Sequence, residues 1–240
     1  MNFLVCDTYE QVSQEAAKIF EEQLRAKPNS VLGLATGSTP LGLYRELIRA
    51  HECGGLDFSG VTTINLDEYY PIEPTHEQSY RYFMDKNLFD HINIDKNNTF
   101  VPNGKAADPA AESVAYDERI KRLGGIDLQL LGIGENGHIG FNEPGAALHA
   151  STHVEVLTES TRNANARFFA SIDEVPTHAI TTGMAGILTA RKIVLLACGK
   201  NKHAVVQAML DDTVTTQIPA TLLKCHPDVV FLCDNAAYTG

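Results

Sequence analysis

The sequence predicts a three-layer α/β/α sandwich, Rossmann-like, built on an open and mainly parallel sheet. Three observations carry that reading. Short apolar runs such as Val31–Ala35 and Ile193–Cys198 alternate with amphipathic segments of helical period. Several of those runs break directly into Gly, Ser, Thr, Asn or Asp, as strands do where a parallel sheet ends and a site begins. The chain has 240 residues with no linker-like stretch, so one domain over 1–240 is expected.

The elements follow in order. Phe3–Cys6 reads as a short strand. Thr8-x-x-Gln11 is a capping box opening a helix whose apolar face is Val12, Ala16, Ile19, Phe20 and Leu24. Val31–Ala35 is a strand broken by Thr36-Gly37-Ser38-Thr39-Pro40. Thr39 suits an N-cap and Pro40 the first helical position, with the helix running to about Cys53 before Gly54-Gly55. Thr62–Leu66 is the next strand, and Ser79–Asp90 and Ala110–Leu123 read as helices. The run Leu128–Leu131 is a strand leading into the glycine-rich Gly132–Gly145. Ala146–Pro176 is less regular and is expected to act as a lid, and Ala179–Ala190 is punctuated by glycine. Lys192–Ala197 is a strand, Lys200–Leu210 a helix and Val229–Cys233 the last strand. Such alternation implies crossover connections and helices on both faces of the sheet.

Composition narrows the function classes. A formal net charge of −11 disfavours nucleic acid, whose binding needs a basic face to displace counterions. It leaves room for an anionic small molecule held by local donors. The apolar runs are too short to span a membrane, and the N-terminus shows no basic-then-apolar signal segment. Five cysteines without C-x-x-C spacing fit a reducing compartment, so a cytoplasmic location is expected.

Four loops stand at predicted strand ends. In Thr36–Pro40, helix-start amides together with Gly37, Ser38 and Thr39 suit a phosphate; an ordinary capped helix is the other reading. Asp67 and Glu68 follow the third predicted strand. A carboxylate there can relay protons on a sugar carbon, or the pair can cap a turn. The stretch GIGENGHIGFNEPG at Gly132–Gly145 gathers Glu135, Asn136, His138, Asn142 and Glu143. His138 can accept a proton and Glu143 can orient the imidazole. With one histidine, no cysteine and no zinc spacing, no metal is expected there. Gly199-Lys200-Asn201-Lys202 can bring a lysine to a phosphate.

The motifs TGSTP at Thr36–Pro40, NLDEYY at Asn65–Tyr70, GENGHIGFNEPG at Gly134–Gly145 and STRNANARFF at Ser160–Phe169 together resemble the glucosamine-6-phosphate deaminase family. The likeness continues through GKNKHAV to HPDVVFLCD and covers nearly the whole chain. It implies conversion of glucosamine 6-phosphate and water to fructose 6-phosphate and ammonia, without cofactor or metal. By the same resemblance, Asp67 matches the base that moves a proton between C2 and C1. His138 matches the group that takes the anomeric hydroxyl proton during ring opening, and Glu143 its carboxylate partner. Arg167 and Lys202 match phosphate ligands, joined by Gly37, Ser38 and Thr39.

The sequence departs from the family pattern in two places. Asn136 stands where some members carry aspartate, so it can orient a neighbour but not titrate. Members activated by N-acetylglucosamine 6-phosphate use a serine, an arginine and a lysine at positions matching Ala146, His153 and Glu155 here. The chain also ends soon after Asp234, without the extension of hexameric members. A monomer without that allosteric activation is expected. A 6-phosphogluconolactonase-like hydrolase and a non-catalytic sugar-phosphate sensor are the rival readings; the first would not need the LDEY or FNEP motifs, the second would lack Asp67 or His138.

Overall fold

The structure, a computed structural model, describes residues 1–159, 162, 166, 169 and 171–240. Its strands are β1 (Asn2–Cys6), β2 (Val31–Leu34), β3 (Thr62–Asn65), β4 (Asp67–Tyr70), β5 (Thr99–Phe100), β6 (Leu128–Gly132), β7 (His153–Val156), β8 (His178–Thr181), β9 (Lys192–Ala197) and β10 (Val229–Asp234). The described α-helices are α1 (Tyr9–Ala26), α2 (Leu41–Gly54), α3 (Tyr80–Asn87), α4 (Pro109–Arg122), α5 (Met184–Leu188), α6 (His203–Leu210) and α7 (Asn235–Thr239). Seven strands form a parallel sheet in the order β1-β10-β9-β6-β2-β3-β5, with helices on both sides. This is the expected α/β fold.

Burial explains the architecture. Leu128, Leu130 and Leu131 of β6, Ile193–Leu195 of β9 and Phe231 and Leu232 of β10 are fully enclosed, as a sheet covered on both faces requires. On α1, Val12, Ala16, Phe20 and Leu24 recur every fourth residue and are all buried. Each fully buried Leu, Ile or Phe side chain contributes roughly 1.5–3 kcal/mol relative to an exposed one. No described helix is long and apolar enough to cross a membrane.

Local chemistry adjusts the expected boundaries. Thr8 Oγ1 accepts from the Gln11 amide at 3.3 Å, but the Gln11 side chain returns to the Asp7 amide rather than to Thr8 itself. Thr39 is not the N-cap of α2: the helix starts at Leu41, Pro40 precedes it, and no side chain caps it. The expected helix Ser79–Asp90 divides into α3, capped by Ser79, and a 3₁₀ turn at Phe89–His91. A 3₁₀ turn at Lys200–Lys202 likewise precedes α6.

The larger correction is a second sheet. β4, β8 and β7 form an antiparallel three-stranded sheet in the order β4-β8-β7. Asp67, expected in a loop after a strand ending at Leu66, is instead the first residue of β4. The Leu66 and Thr182 backbones tie the two sheets together, Thr182 donating to the Leu66 carbonyl at 2.7 Å.

Candidate active site

In the parallel sheet β9, β6, β2 and β3 are consecutive neighbours. The four loops singled out in the sequence follow the carboxyl ends of these four strands, so they open onto one crevice. That crevice is a cavity of about 550 Å³, lined by Thr36–Pro40, by Leu66 and Asp67, by segments of Gly132–Phe141, and by Cys198, Asn201 and Lys202.

Asp67 reaches the cavity as a buried carboxylate, 6% exposed. It accepts no hydrogen bond from the described residues. Gly140, at φ 58°, brings the glycine-rich backbone against it: a Cβ there would lie 3.4 Å from Asp67 Oδ2 and 3.0 Å from Thr181 Oγ1. Tyr80 and Phe141, stacked with ring centroids 6.2 Å apart, complete an aromatic wall of the cavity. Burial, reinforced by the charge of Glu68, pushes the Asp67 carboxyl up to about 8.

Glu68 turns away from this chemistry. It is 2% exposed and accepts the amides of Tyr69 at 2.9 Å, Tyr80 at 2.8 Å and Arg81 at 2.9 Å. Two of these are first-turn amides of α3, which complement a carboxylate. Burial raises its carboxyl to about 7 against the pull of those three donors. Its position is structural: it anchors α3, and with it Tyr80, to β4.

The glycine-rich loop is a tight turn. The Gly134 amide donates to the His138 carbonyl and the Gly137 amide to the Gly134 carbonyl. Gly137 sits at φ 87°, in the left-handed region that suits glycine. His138 Nδ1 lies 3.5 Å from Glu143 Oε1, a long approach for a hydrogen bond, though catalytic contacts often tighten only with substrate bound. Asn136 bridges the pair: its Nδ2 donates to Glu143 Oε2 at 2.8 Å and its Oδ1 accepts the His138 amide at 3.1 Å. Asn142 instead donates to the carbonyls of Ile139 and Thr182, fastening the loop to the start of α5. Gly134 leaves room for the imidazole, since a Cβ there would stand 2.4 Å from the His138 ring. Gly134→Ala should therefore keep the fold but displace His138, lowering turnover by about 10²-fold, with melting near the native temperature. Steady-state kinetics beside a thermal melt checks this.

At the other end of the cavity, the amides of Gly37, Ser38 and Thr39 have no acceptor among the described residues. Gly37 holds φ 100° and α2 carries no side-chain cap, so these donors remain available to an anion. Lys202 faces the same cavity. Burial lowers its ammonium below the ordinary lysine range while Glu135 opposes that shift. Glu135 also accepts from Asn201 Nδ2 at 2.6 Å, linking this loop to the glycine-rich one. Asp234 at the end of β10 accepts the Gly199 and Ala237 amides, fixing the loop that carries Lys202. Burial pushes the Cys198 thiol up to about 12, which keeps it a neutral wall residue.

These features match known proteins. The family model for glucosamine-6-phosphate isomerases/6-phosphogluconolactonase matches residues 7–231. The chain belongs to that family. A glucosamine-6-phosphate deaminase of Clostridium perfringens strain 13 is 58% identical over 237 residues, covering 99% of this chain and 98% of its own. One of Bacillus velezensis is 50% identical over 240 residues, covering 100% of both. A solved structure of a monomeric glucosamine-6-phosphate deaminase superposes with a TM-score of 0.97 at 46% identity, covering 100% of this chain and 99% of that one. The 6-phosphogluconolactonase of Leishmania guyanensis superposes at 0.76 with 23% identity, covering 100% and 98%, and shares the fold.

Of the residues that the family resemblance selected, Asp67, Asn136, His138, Gly37, Ser38, Thr39 and Lys202 line the cavity. Glu143 stands behind, against His138 and Asn136. Arg167 lies outside the described residues. The sequence reading missed Tyr80, Phe141 and Asn201. The aromatics directly after the Ser79 cap and after His138-Ile139-Gly140 were the available signal for the first two.

Proposed function

We propose that this chain is a glucosamine-6-phosphate deaminase, releasing ammonia and fructose 6-phosphate from glucosamine 6-phosphate and water. The observation that carries the proposal is Asp67: a buried carboxylate without a donor, facing a cavity that also holds a histidine and a free-amide anion loop. Lactone hydrolysis has no use for a base at C2, whereas aldose–ketose isomerisation requires one.

The sugar phosphate enters with its anion on the amides and hydroxyls of Gly37, Ser38 and Thr39 and on Lys202, with Arg167 contributing. His138, oriented through Glu143 and Asn136, takes the anomeric hydroxyl proton, and the ring opens to the aldehyde. Asp67 then removes the C2 proton and delivers it to C1, giving the ketose imine. Water adds at C2 and ammonia leaves, so carbon oxidation states shift only between C1 and C2. None of these steps needs a cofactor or a metal. The same reading makes 1–240 one domain, monomeric and cytoplasmic, with no activation by N-acetylglucosamine 6-phosphate. Of the segment Ala146–Pro176 expected as a lid, His149–Val156 is instead held in place by α5, α4 and the three-stranded sheet, and much of 160–170 lies outside the described residues. The monomeric relative at 46% identity supports the oligomeric part.

Incubating the protein with glucosamine 6-phosphate should release ammonia and fructose 6-phosphate in equal amounts, along a hyperbolic rate curve that N-acetylglucosamine 6-phosphate leaves unchanged. Hydrolysis of 6-phosphogluconolactone without ammonia release from the amino sugar would overturn the reaction; a sigmoidal curve made hyperbolic by the acetylated sugar would overturn the regulation. Lys202→Ala removes one charge-assisted contact to phosphate. It should raise KM, and the inhibition constant of inorganic phosphate, by about 10–100-fold. Unchanged phosphate inhibition would remove Lys202 from the anion site.

A further inference from the structure

The segment leading into β7 is fixed by its backbone. The carbonyls of His149 and Ala150 accept the amides of Met184 and Ala185, each at 2.9 Å, at the start of α5. Thr152 donates its amide and hydroxyl to the Asp117 carboxylate on α4. Gly183 packs so closely that a Cβ there would lie 2.2 Å from the Ser151 carbonyl oxygen. On this support, His153 and Glu155 share one face of β7, since alternate strand residues point the same way. His153 Nε2 lies 3.2 Å from Glu155 Oε2, and the His149 ring centroid is 4.3 Å from that of His153.

The hydrogen bonding selects what this cluster can hold. His153 Nδ1 is 3.0 Å from the Ser151 carbonyl oxygen, which can only accept, so Nδ1 carries the hydrogen. In the neutral ring, the Nε2 lone pair then faces a carboxylate oxygen at 3.2 Å. Two acceptors at that distance require a cation, either a proton on Nε2 or a metal ion. A proton serves only that pair. His149 adds a second imidazole, with one ligand atom from each of the three residues within 4.8 Å of the others. Two imidazoles and a carboxylate form a zinc donor set with one position left open, and a backbone carbonyl on the distal nitrogen is the usual support of a ligating histidine. Around zinc such atoms stand roughly 3.3 Å apart, and the exposed His149 is free to close the difference.

We infer that His149, His153 and Glu155 form a site for a divalent transition metal of the zinc class, outside the catalytic cavity. The site clamps one edge of the three-stranded sheet. His153 stands opposite Thr181, and Thr181 opposite Asp67, so the ion sits in the same cross-strand row as the proposed base. No local motif announces it, because the first histidine lies in a loop and the other two ligands on a strand.

The test is calorimetric titration of the chelator-stripped full chain with Zn²⁺ alone. One equivalent should bind and raise the melting temperature. His149→Ala and Glu155→Ala should each weaken that event at least about tenfold, and the double variant of His149→Ala with His153→Ala should lose it. His91→Ala, at an exposed histidine elsewhere, should leave it unchanged. Since His149 is exposed, His149→Ala should melt like the native chain without zinc, which keeps a folding defect out of the reading. Stoichiometric binding that survives unaltered in His149→Ala and His153→Ala would place zinc elsewhere and overturn the site. Absence of binding, with His153→Ala merely lowering metal-free stability, would reduce the cluster to an ion pair and overturn it equally.

Discussion

Asp67→Asn is expected to lose about 10²–10⁴-fold in kcat while becoming more stable than the native chain at alkaline pH. The activity loss follows from removing a general base that has no neighbour to replace it. Glu68, the adjacent carboxylate, is committed to three backbone amides and faces away. The stability gain follows from linkage. The Asp67 carboxyl is raised from 3.8 to about 8 by burial, with Glu68 adding to the shift. The folded state therefore binds this proton more tightly than the unfolded chain does. Its contribution is fully present below pH about 4 and is lost as pH rises toward 8. Asparagine, nearly isosteric with the protonated acid, does not pay this penalty. The stability difference between variant and native should be near zero at pH 4 and should grow through pH 8. Its ceiling is on the order of 5 kcal/mol. Denaturant melts across that range check the sign, and a pH-independent difference would contradict the assigned environment. In the native enzyme the acid limb of kcat/KM should lie near pH 8 for the same reason, because that limb reports the base of the free enzyme.

His138→Gln is the second large effect. It should slow turnover of the ring-closed sugar phosphate by about 10²–10³-fold while leaving an open-chain analogue much less affected. The geometry motivates the split. His138 is tied to Glu143 and Asn136 on the β6 loop, whereas Asp67 belongs to β4, so ring opening and proton transfer at C2 rest on separate elements. Rate measurements on both substrates decide it: equal losses would assign His138 to a step after ring opening.

Much of this was legible because the relevant signals are local. The glycine break after Leu131, the hydroxyl-rich Thr36–Thr39 and the lysine after Gly199 each announce a strand end in a few adjacent residues, and all four loops meet in one cavity. The three-stranded sheet was not legible, for a physical reason. Asp67 stands opposite Thr181, and Thr181 opposite His153, partners far along the chain, and β7 and β8 are strands of only four residues each. For Glu68 the capping reading was available, but not which element it caps, since its donors on α3 come from a helix start brought close only by folding. Asn136 was readable as an orienting amide, and its two bonds give that reading a geometry. The expected cap at Thr39 failed because Pro40 already sits at the helix boundary, and the uncapped amides suit an anion better than a capped helix would.

One proton decides the reaction. In deuterium oxide, the proton that Asp67 takes from C2 should exchange in part with solvent before it is delivered, so the native chain acting on glucosamine 6-phosphate should place solvent deuterium at C1 of part of the fructose 6-phosphate and exchange the C2 position of recovered substrate. Asp67→Asn should bind the substrate with comparable affinity yet show neither incorporation nor exchange. Normal C2 exchange in that variant would contradict the central claim, whatever else the cavity does.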